Sequence, residues 1–200
     1  SKLSLINKYF TDSIFKTFLV LRYGKKYFSL IKENNFNLIV LTAFHKSYLE
    51  SLGINKENIY TIHNPFKVDT AINENTENYI IYAGRISEEK GVEELIKAFL
   101  KSDLNEISLK IIGEGPKLDY LINKYKINKN IELLGAINNS QTKQLISSAR
   151  AVVTATKLLE GQPTLLCEAS SLGVPSIFPK FGGIYEFFPK DVTLSFEQYN

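Results

Sequence analysis

The chain has 200 residues, of which 44% are hydrophobic and 22% are charged, and its formal net charge is +3. This composition excludes a disordered tail and allows one full core plus part of a second domain. The small charge excess predicts no nucleic-acid partner, because such proteins concentrate lysine and arginine on one face. No apolar run approaches the ~20 residues that span a bilayer. The single cysteine, Cys167, permits no internal disulfide, so we expect a cytoplasmic protein.

The first 36 residues are basic and rich in aromatic side chains, with lysine and arginine far outnumbering acids. We interpret this segment as a helix with a solvated basic face. A peripheral contact with an anionic membrane surface is the alternative interpretation. Because the chain begins with serine and contains no methionine, we expect it to be part of a longer protein.

Residues 1–65 are predicted to be the C-terminal remnant of a first domain. After the basic helix, apolar and helical patterns predict a strand, a helix and a second strand. Their ranges are Asn37–Leu41, Lys46–Leu52 and Ile59–Ile62. The polar stretch that follows contains the turn dipeptide Asn64-Pro65, and we interpret residues 66–78 as a linker.

Residues 79–200 are predicted to form an α/β domain, because short apolar runs alternate with helical patterns there. The predicted strands are Tyr79–Ala83, Ser108–Ile112, Ile131–Leu134, Ala151–Thr154, Pro175–Phe178 and Thr193–Phe196. The predicted helices are Val92–Lys101, Pro116–Lys124, Gln141–Ala149 and Thr164–Leu172. Pro116 suits a first helical position and Ser140 suits a cap. The expected fold is a Rossmann-like, doubly wound parallel sheet.

The loop after the first strand of this domain holds a candidate phosphate site. Ligands of open parallel sheets bind at the carboxyl ends of the strands, and Arg85 and Lys90 stand there. Arginine can bind phosphate oxygens bidentately, and lysine adds a mobile charge, so the pair can neutralise a diphosphate. Beside Glu88 and Glu89, however, the same residues would equally serve as surface salt-bridge partners.

The next loop contains Gly113 and Gly115. They match part of the dinucleotide fingerprint, but Leu118 occupies the third glycine position and the loop follows the second strand. We therefore disfavour an NAD site. The two glycines either make a tight turn or let a nucleobase approach the backbone closely.

The loop before the last predicted helix carries the strongest motif. Its residues are Glu160-Gly161-Gln162-Pro163-Thr164-Leu165-Leu166-Cys167-Glu168. The glycine and proline predict a turn into a helix, whose unpaired N–H groups near Thr164 and Leu165 would bind an anion. Glu168 lies on the same helical face as Thr164, where its carboxylate can accept hydrogen bonds from a ribose diol. Glu160 remains on the loop side and would face a sugar.

Together these motifs resemble the C-terminal, donor-binding domain of family-four retaining glycosyltransferases, which have the two-lobed GT-B fold. The resemblance covers about residues 79–190 and consists of motifs in the family's order. They are Gly84-Arg85 with Lys90-Gly91, Gly113-x-Gly115-Pro116, Leu134-Gly135, the two glutamates Glu160 and Glu168 in Glu-Gly-x-Pro and Glu-Ala-x-x-x-Gly-x-Pro, and Gly182-Gly183 with Glu186. Residues Asn37–Pro65 resemble the end of that family's N-terminal, acceptor-binding domain.

The resemblance implies a role for each matching residue. Arg85 and Lys90 would hold the donor diphosphate, Glu168 the ribose, and Glu160, the candidate catalytic residue, the transferred hexose. The segment from Gly161 to Leu165, which contains Gln162, Pro163 and Thr164, would supply backbone donors to the hexose and the phosphate, and Gly113 and Gly115 would lie beside the nucleotide. No metal or other cofactor is implied, because the basic pair and the helix terminus would offset the charge of the leaving group.

The implied activity is transfer of a hexose from a nucleotide diphosphate sugar to a hydroxyl of an acceptor saccharide or lipid-linked saccharide, with retained configuration. A composition rich in asparagine, lysine and isoleucine indicates an AT-rich genome, so we expect a bacterial surface polysaccharide or glycolipid pathway. The family's glycine-rich N-terminal loop and its histidine have no counterpart, since His45 and His63 stand outside such a motif. We therefore expect the acceptor contacts to lie outside this chain and the chain alone to be inactive.

Other functions fit parts of the pattern. A non-catalytic nucleotide-binding module would need the phosphate loops but not Glu160. A glycoside hydrolase would use two carboxylates about 5–9.5 Å apart, although it would have no use for phosphate loops. A pyrophosphorylase or an epimerase acting on sugar nucleotides is the remaining alternative.

Overall fold

The computed structural model describes residues 13–66, 75–104, 106–189 and 194–197. The chain divides into two compact units between His63 and Asn64. The predicted boundary at residue 65 lies two residues further on, and the central part of the predicted linker lies outside the described residues.

Unit 1 consists, in its described part, of two helices and a small parallel sheet. Helix α1 spans Ile14–Glu33, strand β1 Leu38–Val40, helix α2 Ala43–Ser51 and strand β2 Ile59–Thr61. The two strands pair in parallel. The predicted strands are confirmed, but α2 begins three residues earlier than predicted. The reason is that the Thr42 hydroxyl accepts a hydrogen bond from the His45 N–H group at 3.1 Å and caps the helix there.

Unit 2 is built on one sheet of six parallel strands. In chain order they are β3 (Tyr79–Ala83), β4 (Ser108–Ile112), β5 (Ile131–Gly135), β6 (Ala151–Val153), β7 (Ser176–Pro179) and β8 (Leu194–Phe196). Their spatial order is β5-β4-β3-β6-β7-β8. The chain thus winds outward from β3 to one edge, returns to β6, and winds outward to the other edge, which confirms the predicted doubly wound sheet.

Helices cover both faces of this sheet. They are α3 (Val92–Lys101), α4 (Leu118–Tyr125), α5 (Asn139–Ser147) and α6 (Thr164–Ser171). Successive residues of a strand point to opposite faces. In β3, Ile81 therefore packs in the apolar cluster that includes residues of α5 and α6, and Tyr82 packs in the cluster that includes residues of α3 and α4. The central strands are buried on both sides, which is why they read as continuous apolar runs.

Two local predictions in unit 2 were wrong. Helix α4 begins at Leu118 rather than Pro116, because the Leu118 N–H group donates to the Gly115 carbonyl and forms a turn before the helix. Helix α5 is capped by Asn138 and not by Ser140. The Asn138 side chain accepts a hydrogen bond from the Gln141 N–H group at 2.9 Å, so Ser140 lies inside the first turn.

The strand order positions a crevice. β3 and β6 are neighbours in the sheet but are far apart in sequence, and the connections that leave them lead to helices on opposite faces. Ligands of doubly wound sheets bind at the carboxyl ends of such a pair. Within the described residues, no helix is long and apolar enough to cross a membrane.

Candidate functional site

A cavity of about 200 Å³ opens at the carboxyl ends of β3 and β6. It is smaller than typical ligand pockets of roughly 300–1,000 Å³, so its walls would cover only part of a ligand of that size. Its lining consists of Tyr82, Ala83, Gly84, Arg85, Lys90, Thr154, Glu160, Gln162, Pro163, Thr164, Leu165, Leu166 and Ile184.

Most of the predicted site residues meet in this cavity. Those in the lining are Arg85, Lys90, Glu160, Gln162, Pro163, Thr164 and Leu165. Gly113, Gly115, Gly161 and Glu168 do not belong to the lining. Of the three loops singled out in the sequence, the Arg85 loop and the Glu160 loop therefore line the cavity. The loop of Gly113 and Gly115 does not, and it lies behind the Arg85 loop.

Lys90 and Glu160 form an ion pair at the cavity. The Lys90 ammonium lies 2.5 Å from Oε1 of Glu160, and the side chains are 29% and 25% exposed, respectively. The same carboxylate oxygen accepts a hydrogen bond from the Thr156 hydroxyl at 2.9 Å. The candidate phosphate-binding lysine is thus already paired with the candidate sugar-binding acid.

Arg85 differs from Lys90 because it is exposed and, in the described part of the chain, its guanidinium has no ion-pair partner. Its backbone is fixed. The Tyr82 hydroxyl donates to the Arg85 carbonyl at 2.9 Å, and the Ile86 N–H group donates to the Glu114 carbonyl at 2.8 Å. Hydrogen bonds therefore hold the backbone of the Arg85 loop in place, while the guanidinium has no ion-pair partner within the described residues.

The Tyr82 hydroxyl, which donates to the Arg85 loop, also lies within the electrostatic influence of two acids, Glu160 and Glu89. Burial raises the pKa of the Tyr82 hydroxyl above its ordinary value, and the negative charges of Glu160 and Glu89 raise it further. The hydroxyl consequently stays protonated at neutral pH and keeps donating to the loop. Burial also raises the pKa of the Glu89 carboxyl, but the hydrogen bond from Ser87, a backbone hydrogen bond and the nearby charges of Arg85 and Lys90 lower it overall.

Glycines allow the loops to approach one another. Gly91 has φ +67°, and a Cβ atom there would lie 2.0 Å from the Ala155 carbonyl oxygen. Gly113 has φ +137°, and its Cβ would lie 1.9 Å from the Gly84 carbonyl oxygen. Gly115 is similarly close to Ile86. Gly113 and Gly115 thus support the Arg85 loop from behind, and their proposed proximity to a nucleotide stays a prediction.

The amino end of α6 faces the cavity with unpaired backbone donors. The first hydrogen bond of this helix runs from the Cys167 N–H group to the Pro163 carbonyl, and no side chain among the described residues caps the helix. The first N–H groups of a helix have no partner within it, and the helix dipole adds positive potential there. An anion in the cavity would meet Thr164 and Leu165 at this end.

Gln162 is fixed by two hydrogen bonds. Its Oε1 atom accepts from the Asn64 N–H group at 2.6 Å, and its Nε2 atom donates to the Asn64 carbonyl at 2.9 Å. The side chain is only 8% exposed. It therefore binds the first residue of unit 2 to the loop that leads into α6, and only its backbone remains available to a ligand.

Glu168 lies one turn further along α6 and is partly buried. A ligand that extends along the helix from Thr164 would approach Glu168, which is four residues further on. The predicted ribose contact of Glu168 stays a prediction. The neighbouring Cys167 is buried. Burial raises the pKa of the Cys167 thiol, and the charge of Glu168 raises it further.

Sequence reasoning missed several residues of the cavity. Tyr82 reads as a core residue of a strand, and Ile184 follows the Gly182-Gly183 motif without any polar signal. Thr156 contacts Glu160 but does not belong to the lining, and it also gave no signal, because this contact depends on the path of the loop between β6 and α6.

The strand order and the crevice define a doubly wound α/β domain, in which Arg85, Lys90 and the amino end of α6 line one cavity. Comparison with known sequences then identifies its family. The sequence model described as "Glycosyl transferases group 1" matches residues 66–200. The chain belongs to this family of glycosyltransferases, and the GT-B resemblance is confirmed.

Individual relatives cover parts of the chain. The phosphatidylinositol N-acetylglucosaminyltransferase GPI3 subunit of Saccharomyces cerevisiae is 27% identical over 124 residues, which is 60% of this chain and 27% of that protein. The O-antigen biosynthesis glycosyltransferase WbnH of Escherichia coli is 25% identical over 163 residues, 81% of this chain and 46% of that protein. The chain therefore spans less than half the length of these relatives.

A solved structure shares the fold. It is a variant of S. aureus TarM in complex with fondaparinux, alpha-GlcNAc-glycerol and UDP, with a TM-score of 0.72 and 24% identity. The likeness covers 88% of this chain and 36% of that one.

Proposed function

We propose that this protein binds a nucleotide diphosphate sugar and transfers its hexose to an acceptor hydroxyl with retained configuration. One observation carries the proposal. Arg85, Lys90, Glu160 and the amino end of α6 line a single cavity at the crevice of a doubly wound sheet. Such a set offers positive charge to a diphosphate and a carboxylate to a sugar hydroxyl.

The diphosphate would be bound by two cations in different ways. Arg85 is unpaired in the described part of the chain and is free to take phosphate oxygens bidentately. Lys90 would have to exchange Glu160 for the diphosphate, which its flexible four-carbon stem permits. As the glycosidic bond breaks, the negative charge that develops on the diphosphate would be stabilised by these cations and by the α6 amides. We propose that no metal is required for this step.

The hexose would lie on the Glu160 side of the cavity. Release of Lys90 to the diphosphate would leave the carboxylate of Glu160 available to a sugar hydroxyl. N-Acetylglucosamine is the first candidate, because it occurs in the name of the yeast relative and in the ligand recorded with TarM beside UDP. The E. coli relative acts in O-antigen biosynthesis by its name, which supports a bacterial surface polysaccharide or glycolipid pathway.

Unit 1 is proposed to belong to the acceptor domain. A two-stranded sheet is marginally stable alone, and apolar side chains of this one are exposed, among them Ile39 and Tyr60. Further residues of a larger domain would cover them. The acceptor would be a saccharide or a lipid-linked saccharide, and no nucleic acid is involved.

We also propose that α1 contacts the cytoplasmic face of a membrane. Three aromatic residues of this helix are largely exposed: Phe15 at 70%, Tyr23 at 73% and Tyr27 at 69%. Lysine and arginine lie between them in the sequence. Exposed aromatic side chains beside basic ones favour anionic lipid surfaces. Sedimentation with vesicles of phosphatidylglycerol, compared with phosphatidylcholine, tests this contact. Equal recovery with both would contradict it.

Calorimetric titration with UDP, GDP and ADP tests the donor site without an acceptor. We expect one of the three to bind with a Kd in the micromolar range, because several charge-assisted hydrogen bonds of about 1.5–3 kcal/mol each would contribute. Absence of binding to all three would refute the proposal.

Transfer itself is tested with radiolabelled UDP-N-acetylglucosamine and candidate saccharide acceptors, using both this chain and its longest natural form. We expect transfer by the latter alone, undiminished by EDTA, and an NMR spectrum of the product in which the donor's anomeric configuration is kept. Nucleotide binding without donor consumption by any form would favour the non-catalytic module instead.

A further inference from the structure

The Thr156 side chain is placed to control the candidate sugar-binding acid. Thr156 lies in the loop between β6 and α6 and is 1% exposed. Its hydroxyl donates to Oε1 of Glu160 at 2.9 Å and accepts from the Leu158 N–H group at 3.2 Å. Because an ionised carboxylate only accepts hydrogen bonds, the hydroxyl proton must point toward Glu160. The backbone contact thus fixes the direction of the donor.

Both donors to Glu160 act on the same oxygen. The Lys90 ammonium and the Thr156 hydroxyl each contact Oε1. Among the residues that the structure describes, no donor contacts Oε2. The carboxylate is therefore held by one oxygen while the other retains its capacity to accept a hydrogen bond.

We propose that Thr156 is a positioning residue, which holds Oε1 of Glu160 so that Oε2 accepts a hydroxyl of the transferred sugar. The inference rests on the proposed function, in which Lys90 leaves Glu160 for the diphosphate. Thr156 is short and buried, and it cannot follow the lysine. It becomes the remaining donor to Oε1 when the donor substrate is bound, so its contribution increases when a sugar is present.

Two variants separate the hydroxyl from the shape of the side chain. Thr156→Val keeps the β-branched volume and removes the donor, whereas Thr156→Ser keeps the donor and removes the methyl group. The measured quantity is the ratio of the affinities for UDP-N-acetylglucosamine and UDP, each determined by titration calorimetry on the same variant. A general loss of packing would lower both affinities alike and leave the ratio unchanged.

We expect Thr156→Val to reduce this ratio by about 10- to 100-fold, as the loss of one hydrogen bond to a charged group implies, with UDP affinity retained. Thr156→Ser should keep the wild-type ratio, and Glu160→Gln should reduce it as well. An unchanged ratio in Thr156→Val, together with a reduced one in Glu160→Gln, would overturn the role of Thr156 and leave the proposed function standing. If the wild type prefers UDP-N-acetylglucosamine no more than UDP, the role of Thr156 fails at once. If it binds neither of these, nor GDP or ADP, the proposed function fails with it.

Discussion

Arg85 is the residue whose environment most clearly suits a ligand rather than the fold. It is exposed, and in the described part of the chain no acid pairs with its side chain. Its charge helps to lower the pKa of the nearby Glu89 carboxyl, but no ion pair holds its side chain within the described residues. Its removal should therefore affect binding and not folding.

We expect Arg85→Ala to weaken UDP binding by about 10- to 100-fold, which corresponds to the ~1.5–3 kcal/mol of a charged hydrogen bond. Arg85→Lys should recover only part of the loss, because an ammonium cannot bind phosphate bidentately. The melting temperature should not change. Lys129→Ala is the matched control, since this exposed lysine precedes β5 and so lies at the amino ends of the parallel strands, whereas Arg85 lies at their carboxyl ends. Equal effects of the two alanine variants would show that only net charge matters.

The loops that build the cavity depend on glycines as connecting elements. We expect Gly113→Ala to lower the free energy of unfolding by about 2–4 kcal/mol, because the new Cβ would lie 1.9 Å from the Gly84 carbonyl oxygen. UDP affinity should fall too, since Arg85 follows Gly84. Gly135→Ala is the control. It also has positive φ, at +65°, but meets no atom within 4 Å, so it should cost only about 1–2 kcal/mol. Chemical denaturation measures both.

Helices α3 and α4 are joined by Glu93. Its carboxylate lies 2.7 Å from the Lys124 ammonium and 3.1 Å from that of Lys97. The hydrogen bond from Lys124 lowers the pKa of Glu93 to about 2, and Lys97 contributes to the shift against the opposing effect of burial.

Because the pKa of Glu93 is lowered on folding, its stabilising effect is present above the ordinary value of 4.5 and is lost as the pH falls toward about 2. We expect the difference in unfolding free energy between wild type and Glu93→Gln to shrink over this range. Glu57→Gln, at an acid 74% exposed and 4.0 Å from Lys56, should show a smaller dependence. Urea denaturation at several pH values provides the comparison. A difference that is constant with pH would contradict the assignment.

The sequence predicted which helices and strands form more accurately than it predicted where they begin and end. Every described strand of unit 2 was predicted, and the central strands gave the clearest signal because strands buried on both faces are unbroken apolar runs. The cap of α5 was misplaced because Asn138, Asn139 and Ser140 are all suitable caps. Which of the three residues caps α5 depends on the path of the chain, and in the structure it is Asn138.

For the whole molecule, the sheet of unit 2 and all residues that line its cavity lie after residue 63. We expect a shortened chain, residues 64–200, to fold cooperatively and to bind UDP with the affinity of the complete chain. Circular dichroism and titration calorimetry check this. Loss of binding in a folded shortened chain would mean that unit 1 contributes directly to the donor site.

The site residues that could be predicted from the sequence are those in motifs at the ends of strands and the starts of helices. Arg85, Lys90 and Glu160 met in one cavity because a doubly wound sheet brings such positions together. The ion pair of Lys90 with Glu160 and the two hydrogen bonds of Gln162 were not predictable, since they join residues 70 and 98 positions apart. Those distances depend on how the loops cross the end of the sheet.

The ion pair of Lys90 with Glu160 also has a consequence for which solutes the cavity would bind weakly. Inorganic phosphate would compete for the ammonium with a carboxylate 2.5 Å away and would give that carboxylate nothing in return. A free monosaccharide offers the carboxylate a hydroxyl but gives the ammonium no anion. A nucleotide diphosphate sugar would offer a new partner to both groups as they separate, whereas UDP would offer one to the ammonium alone. Under the proposed function, the ion pair would thus favour the intact sugar donor over UDP without excluding UDP.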